Sequence, residues 1–324
     1  MVRAASDSMQ SAFVTGAHGF IGRHLSRELA RRGVHVAGLG HGAWPESEAE
    51  QWGVRRWLNG TVDSANLDVL VRQSEPPEVV FHLAGGSSVG ASLANPREDF
   101  LRTVTTTAEL LEWLRQNSPQ TPVVLVSSAA VYGNGHGGPV AETALLNPYS
   151  PYGVHKRMME EVGESYASNF GLKVVVVRLF SVFGLHLRKQ LLWDLCTRLA
   201  TGTESVPLGG TGSELRDWTA VCDVVHALIG SSQLAEAGCT VLNIGTGTGT
   251  SVRTVAEYVS SSWHQQGGQY SVLQFSGKSR PGDPLCLVAD SSRLGGLGLS
   301  CRQPLESSLD YYVRWYRSLI GASV

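Results

Sequence analysis

Tyr152 and Lys156 stand four residues apart in Ser150-Pro151-Tyr152-Gly153-Val154-His155-Lys156. On a helix begun by Ser150 and Pro151, both side chains point to one face. The pair suits proton transfer. A free tyrosine titrates near pH ~10, and a neighbouring ammonium stabilises the phenolate and draws that value toward neutrality. Ser128 ends the strand-like run Val124-Leu125-Val126-Ser127 and can hydrogen-bond the reacting oxygen, while Lys156 can also hold a nicotinamide ribose. Tyr and Lys at this spacing also occur by chance. Their weight comes from the upstream serine and from a glycine turn more distant still.

That turn is Thr15-Gly16-Ala17-His18-Gly19-Phe20-Ile21-Gly22, after the apolar Ala12-Phe13-Val14 and before the helix-like Arg23–Leu29. A pyrophosphate needs backbone N–H groups at close range, no Cβ in the way and a helix N-terminus. Gly16, Gly19 and Gly22 meet the steric demand, and Phe20 and Ile21 open the helix. Glycines also mark ordinary turns, but here strand, turn and helix fall in the required order and a second strand, Val34–Leu39, follows. The acid that binds an NAD ribose belongs about 20 residues on. Gly40 and His41 stand there instead, so the reading leans from NAD to NADP, with Glu46 or Glu48 folding back as the open alternative. Thr61 and Val62 are expected beside the adenine. The small residues of Leu83-Ala84-Gly85 are expected against the cofactor, the competing reading being a plain tight turn.

Strand-like runs at Ala12–Thr15, Val34–Leu39, Val79–Leu83, Val123–Ser127 and Lys173–Val177 alternate with helical segments Ile21–Arg32, Leu67–Ser74, Pro96–Asn117 and Pro151–Phe170. Val-rich runs between amphipathic helices imply an α/β fold, a doubly wound parallel Rossmann sheet with a smaller mixed C-terminal substrate-binding part. Residues 1–10 read as a loose tail. Residues 11–180, with returning segments near 215–250, read as the dinucleotide-binding domain, and residues 181–324 mainly as a discontinuous substrate part. Asn243-Ile244-Gly245-Thr246-Gly247 reads as scaffold, a strand entering a turn.

The 324 residues can bury a sizeable core, and 26 Lys+Arg against 28 Asp+Glu leave no basic run for nucleic acid. The five scattered cysteines lack CxxC spacing, which fits a reduced, cytoplasmic setting. No stretch reaches the roughly 18 apolar residues of a membrane span. The histidines show no metal-ligand spacing, so no metal is expected.

Together these motifs resemble the extended short-chain dehydrogenase/reductase superfamily, in its NAD(P)-dependent nucleotide-sugar epimerase/dehydratase branch. The resemblance runs from about Ser11 to about Tyr316 through TGAHGFIG, HLAGGSSVGAS, SSAAVYG, SPYGVHK, RLFSVFG, LRDWTAVCDV and RPGD. It implies that Ser128, Tyr152 and Lys156 form a catalytic triad. It implies a nucleoside-diphosphate sugar as substrate, met by Ser87, Ser181, Leu187, Arg188, Arg216, Arg280 and Asp283. It also implies a homodimer through the helices near 96–117 and 151–170. Arg216 is the favoured phosphate ligand, since a guanidinium grips phosphate in bidentate fashion; a salt bridge to Asp217 or Asp223 is the competing reading.

The departures are informative. Ser181 replaces the usual Asn of RxFN, and Arg102-Thr103 replaces a common Asn-Asn. Ala129-Ala130 lacks the Asp-Glu of the resembling 4,6-dehydratases and the cysteine of GDP-fucose-type epimerase/reductases, which disfavours both reactions. His155 should face away from the reacting pair, exposed or packed. Tyr312, Trp315, Tyr316 and Leu319 should form a packed cap. The leading expectation is a nucleotide-sugar 4-epimerase; an NADPH-dependent 4-keto-6-deoxy-sugar reductase and a cofactor sensor without turnover stay open.

Overall fold

The computed structural model describes residues 9–236, 238–278 and 284–321. In its first half, strands and helices alternate as β1 (Ser11–Thr15), α1 (Phe20–Arg31), β2 (His35–Gly40), α2 (Glu46–Gln51), β3 (Val54–Asn59), α3 (Ser64–Gln73), β4 (Val79–His82), α4 (Val89–Ala94), α5 (Pro96–Phe100), α6 (Thr106–Asn117), β5 (Val123–Ser128), α7 (Pro151–Phe170) and β6 (Lys173–Leu179). The second half adds β7 (Ser181–Phe183), α8 (Gln190–Leu199), β8 (Ser205–Leu208), β9 (Leu215–Ala220), α9 (Val221–Ser231), β10 (Gly238–Ile244), β11 (Gly249–Ser251), α10 (Val252–Gln265), β12 (Val272–Phe275), β13 (Cys286–Leu287), α11 (Ser292–Gly296) and α12 (Leu305–Gly321).

Seven strands form one parallel sheet in the order β10-β6-β5-β4-β1-β2-β3. Valines explain the all-parallel choice. Val174 to Val177 alternate between the two sheet faces, yet all four are 0 % exposed. Helices therefore cover both faces, and each fully buried valine contributes about 1.5–3 kcal/mol. Leu25, Leu29 and Val224 pack on one face, Leu110, Leu114 and Met159 on the other. The strand order reverses between β1 and β4, which opens a crevice at the carboxyl ends of the strands.

The segment from 96 to 117 departs from the single expected helix. Between α5 and α6, Leu101–Thr105 forms a π-helical turn. Thr106 and Thr107 hydroxyls donate back to the carbonyls of Arg102 and Thr103 at 2.6 and 2.7 Å. Such back-bonding bends a helix, and π turns gather at functional sites. By contrast, α7 follows its sequence signals. Ser150 Oγ accepts from Gly153 N at 3.2 Å, Pro151 takes the first turn, and Gly171 at φ 71° ends the helix.

Beyond β6 the chain builds smaller pieces: a four-stranded sheet of β7, β9, β11 and β13, and the parallel pair β8–β12. A separate apolar cluster joins α8, α10 and α12, with Tyr312 and Tyr316 at 0 % and 5 % exposure. β10 returns to the large sheet beside β6. Of the expected N-terminal tail, residues 1–8 lie outside the described residues. Met9 packs on the core and Gln10 N donates to Glu78 at 3.1 Å, so the anchored chain begins earlier than expected.

Candidate active site

A cleft of about 800 Å³ runs along the carboxyl ends of the strands, from Gly40 and His41 past the glycine turn to Tyr152 and Arg216. One wall is backbone. Gly16 has φ 72°, and a Cβ there would lie 2.9 Å from Ala84 N; a Cβ on Gly22 would overlap Gly16 O. The turn therefore packs directly on β4's exit and on itself. Gly19 caps α1 without any side-chain hydrogen bond, so the first N–H groups of the helix stay open where Phe20 and Ile21 line the cleft. A helix N-terminus with free N–H groups and no side chain before it fits the diphosphate of a dinucleotide.

Leu83, Ala84, Gly85, Ser87 and Val62 line the same cleft. Thr61 does not. It is exposed, its carbonyl accepts from Asn66 at 2.9 Å, and Gly60 and Val62 face the cleft instead. Asp63 is a helix cap, accepting from Asn66 N at 2.9 Å. Behind the Gly40–His41 corner, sequence reading missed an aromatic cluster, of which His18 lines the cleft. His18 lies with its ring centroid 4.8 Å from Trp44 and 6.0 Å from Trp57. Trp57 comes from β3, so only the sheet brings these rings together.

The opposite wall is side chains. Ser128 at the end of β5 and Tyr152 and Lys156 on α7 converge on the cleft. Burial pushes the Tyr152 phenol above its ordinary value; the Ser128 hydrogen bond pulls it back, and the negative charge of Asp99 adds to the rise. The expected lowering by Lys156 is absent from that balance. Lys156 is 4 % exposed and its ammonium donates to Val126 O at 2.8 Å, so it is engaged with the strand. Burial brings Lys156 down to about 8, against the pull of Asp99 and Glu160.

Beneath this wall lies a charged layer. Arg178 on β6 meets Glu160 on α7 at 2.7 Å, with side chains 5 % and 8 % exposed. Glu160 also accepts from Ser127, and Arg178 donates to Tyr132 Oη at 2.9 Å. His82 bridges Thr15 and Thr107 at 2.8 and 3.0 Å, and burial, then the charge of Lys156, hold it down to about 3, a neutral strut. Thr103, standing where Asn is usual, accepts from Gly86 N at 2.8 Å and so ties the π turn to the loop after β4.

On the C-terminal side, Ser181, Leu187 and Arg216 line the cleft. Arg216 Nη1 donates to the carbonyls of Leu215 and Pro284 at 2.9 and 2.7 Å. No salt bridge to Asp217 or Asp223 forms. Asp217 accepts from Thr246, Gly247 and Ala289 backbone N–H groups, and Asp223 from Gln303 N at 2.8 Å. Arg188 does not line the cleft: it is exposed, 5.9 Å above the Trp193 ring, while Lys189 turns into the cleft with Nζ 3.4 Å from Ser87 O. His186 and Gln190 at φ 69° and 65° bend this segment by torsions that side-chain-bearing residues seldom adopt, and no pattern in the sequence signals them. Arg280 and Asp283 lie outside the described residues. Among the described residues no cluster of metal-ligating side chains occurs.

A parallel sheet with a glycine cradle at its switch point and a serine, tyrosine and lysine opposite defines a Rossmann-type dinucleotide enzyme architecture. The chain belongs to the NAD dependent epimerase/dehydratase family, whose profile matches residues 12–245. An uncharacterized UDP-glucose epimerase of Bacillus subtilis, YtcB, is 31% identical over 86% of this chain and 89% of its own length. The solved structure of MoeE5 with UDP-glucose and NAD is 32% identical, with a TM-score of 0.82 over 96% of this chain and 99% of that one. The UDP-glucose 4-epimerase of Thermotoga maritima, solved with UDP-glucose, is 27% identical, with a TM-score of 0.83 over 96% and 100% of the two chains.

Proposed function

We propose that this protein is an NAD(P)-dependent 4-epimerase of a UDP-hexose. The observation that carries the reading is the convergence of Ser128, Tyr152 and Lys156 on one cleft with the glycine cradle. Ala129 and Ala130, both at that wall, offer no acid for dehydration. When bound, the nicotinamide supplies reversible hydride transfer at the sugar C4. Tyr152 removes the 4-hydroxyl proton and later returns it, Ser128 hydrogen-bonds the same oxygen, and Lys156 offsets the charge on the phenolate. The short side chains of Ser87, Ser128 and Ser181 leave the sugar free to turn and present its other face.

Arg216 and Lys189 hold diphosphate charge from the C-terminal side, with Arg280 and Asp283 as further expected contacts. The C-terminal segments then serve as the sugar-nucleotide part. Gly40 and His41 leave the ribose corner without a carboxylate, so discrimination against NADP is weak, and binding of both dinucleotides to cofactor-free protein should agree within about tenfold. Two copies pair through α5, α6 and α7, on which Phe100 and Met158 are each 38 % exposed; light scattering should give twice 34.7 kDa. The five free cysteines suit a cytoplasmic location.

The test incubates purified protein with UDP-glucose and with UDP-glucuronate and follows the C4 epimer by proton NMR, while the nucleotide released on denaturation is identified. Retained NAD and epimer formation are expected. An empty site that prefers NADPH and oxidises it only with a 4-keto sugar replaces the epimerase by a reductase.

A further inference from the structure

His155, between the two reacting residues, is neither exposed nor idle. Its Nδ1 lies 2.6 Å from Asp99 Oδ2, with the two side chains 11% and 4% exposed, and its ring meets Phe100 edge-on at 5.4 Å. Asp99 sits on α5, two residues before the π turn, and its carboxylate lies against the loop that follows β4. Two consecutive glycines of that loop lean on opposite charges. A Cβ on Gly85 would lie 3.2 Å from Lys156 Nζ, and a Cβ on Gly86 would overlap Asp99 Oδ1. The carboxylate thus occupies the space that any side chain at Gly86 would take.

We propose that Asp99 is a positioning residue for the Tyr152–Lys156 pair: clamped by His155 and seated against Gly86, its carboxylate sets the charge state in which the pair works. The reacting wall otherwise has little to hold a cation in place. Lys156 reaches a backbone carbonyl and the Met159 sulfur, and Glu160 on its own helix is shared with Arg178 and Ser127. His82, facing from β4, is neutral. Asp99 is therefore the negative charge facing Lys156 from a neighbouring element, and it favours the proton on both Lys156 and Tyr152. Asp99 supports the ammonium against burial and in the same act makes the phenol harder to ionise. It therefore keeps Lys156 charged to higher pH than burial alone would allow, with a phenol that is harder to ionise as the accompanying cost.

This inference rests on the catalytic assignment above, but its first readout needs no turnover. Tyr152 ionisation is followed by phenolate absorbance as wild type minus Tyr152→Phe, and again in the Asp99→Asn background. Asn keeps the shape and the acceptor for His155 while removing the charge. The Tyr152 midpoint should fall by about 0.5–1.5 pH units, the effect of one charge several ångströms away. The high-pH limb of turnover, set by Lys156, should fall with it. Gly86→Ala keeps every charge but pushes the carboxylate aside, and should move both midpoints the same way by less. A role in packing alone predicts a lower melting temperature with the midpoints unmoved, and that result in either variant overturns the proposal. Shifted midpoints in the variants together with no epimer formation by the wild type count against the reaction and leave the positioning role standing.

Discussion

The two long walls of the cleft are made of different material. At the glycine turn the contacts are backbone to backbone, and the essential property is the missing Cβ at Gly16 and Gly22. At Ser128, Tyr152 and Lys156 the contacts are side chains, and the essential property is charge state, governed by burial, Asp99 and Glu160. The first wall is intolerant of a single methyl group yet indifferent to pH. The second depends on the charges around it, Asp99 above all, which acts on both Tyr152 and Lys156.

The sharpest break between them is Tyr152→Phe. It should lower kcat by about 10³-fold or more, roughly 4 kcal/mol, with cofactor retention and melting temperature nearly unchanged. Arg178→Met attacks the layer beneath, stranding Glu160 without its partner. Unfolding in urea should register a loss of about 3–5 kcal/mol, as for other buried pairs broken on one side. Gly22→Ala breaks the backbone wall instead: a loss of about 1–3 kcal/mol in stability from overpacking, together with purification free of nucleotide. If nucleotide retention survived Gly22→Ala, the diphosphate would not be seated on this turn.

Two smaller effects sharpen the contrast. Arg216→Met should raise KM for the sugar nucleotide by about 10–100-fold with kcat within a few-fold, the signature of lost charge-assisted binding. Turnover should decline as pH rises through about 8, because there Lys156 loses the proton that supports the phenolate. Over the same interval the binding of NAD, held mainly by backbone N–H groups, should change little. A joint decline would mean that the two walls are not independent.

The sheet was legible because its strands are short Val-rich runs and its helices carry end signals such as Ser150-Pro151 and Gly171. Tyr152 and Lys156 were legible as a pair sharing one face because a four-residue helical spacing survives any tertiary context. Less visible was β3, where Arg55 and Arg56 interrupt the apolar run at an edge of the sheet. The π turn at Leu101–Thr105 has no local code, since threonines there read simply as poor helix formers. Lys189 rather than Arg188 lines the cleft in a segment that carries left-handed torsions at His186 and Gln190, which no local pattern signals. The segment is also tied from far away: the Tyr312 hydroxyl donates to Leu187 O at 2.6 Å across 125 positions of sequence.

The sequence by itself determined the parallel α/β class, the glycine cradle and the identity of the serine, tyrosine and lysine that face it. These depend on periodicity, on the absence of a Cβ and on neighbours within one turn of helix, all of them local. The tertiary structure alone decided how those groups are tuned. Burial raises Tyr152 and lowers Lys156, and Asp99, brought in from another helix and locked by His155, acts on both. A pKa is a property of the space around a group, and that space is filled by residues the chain supplies from far away.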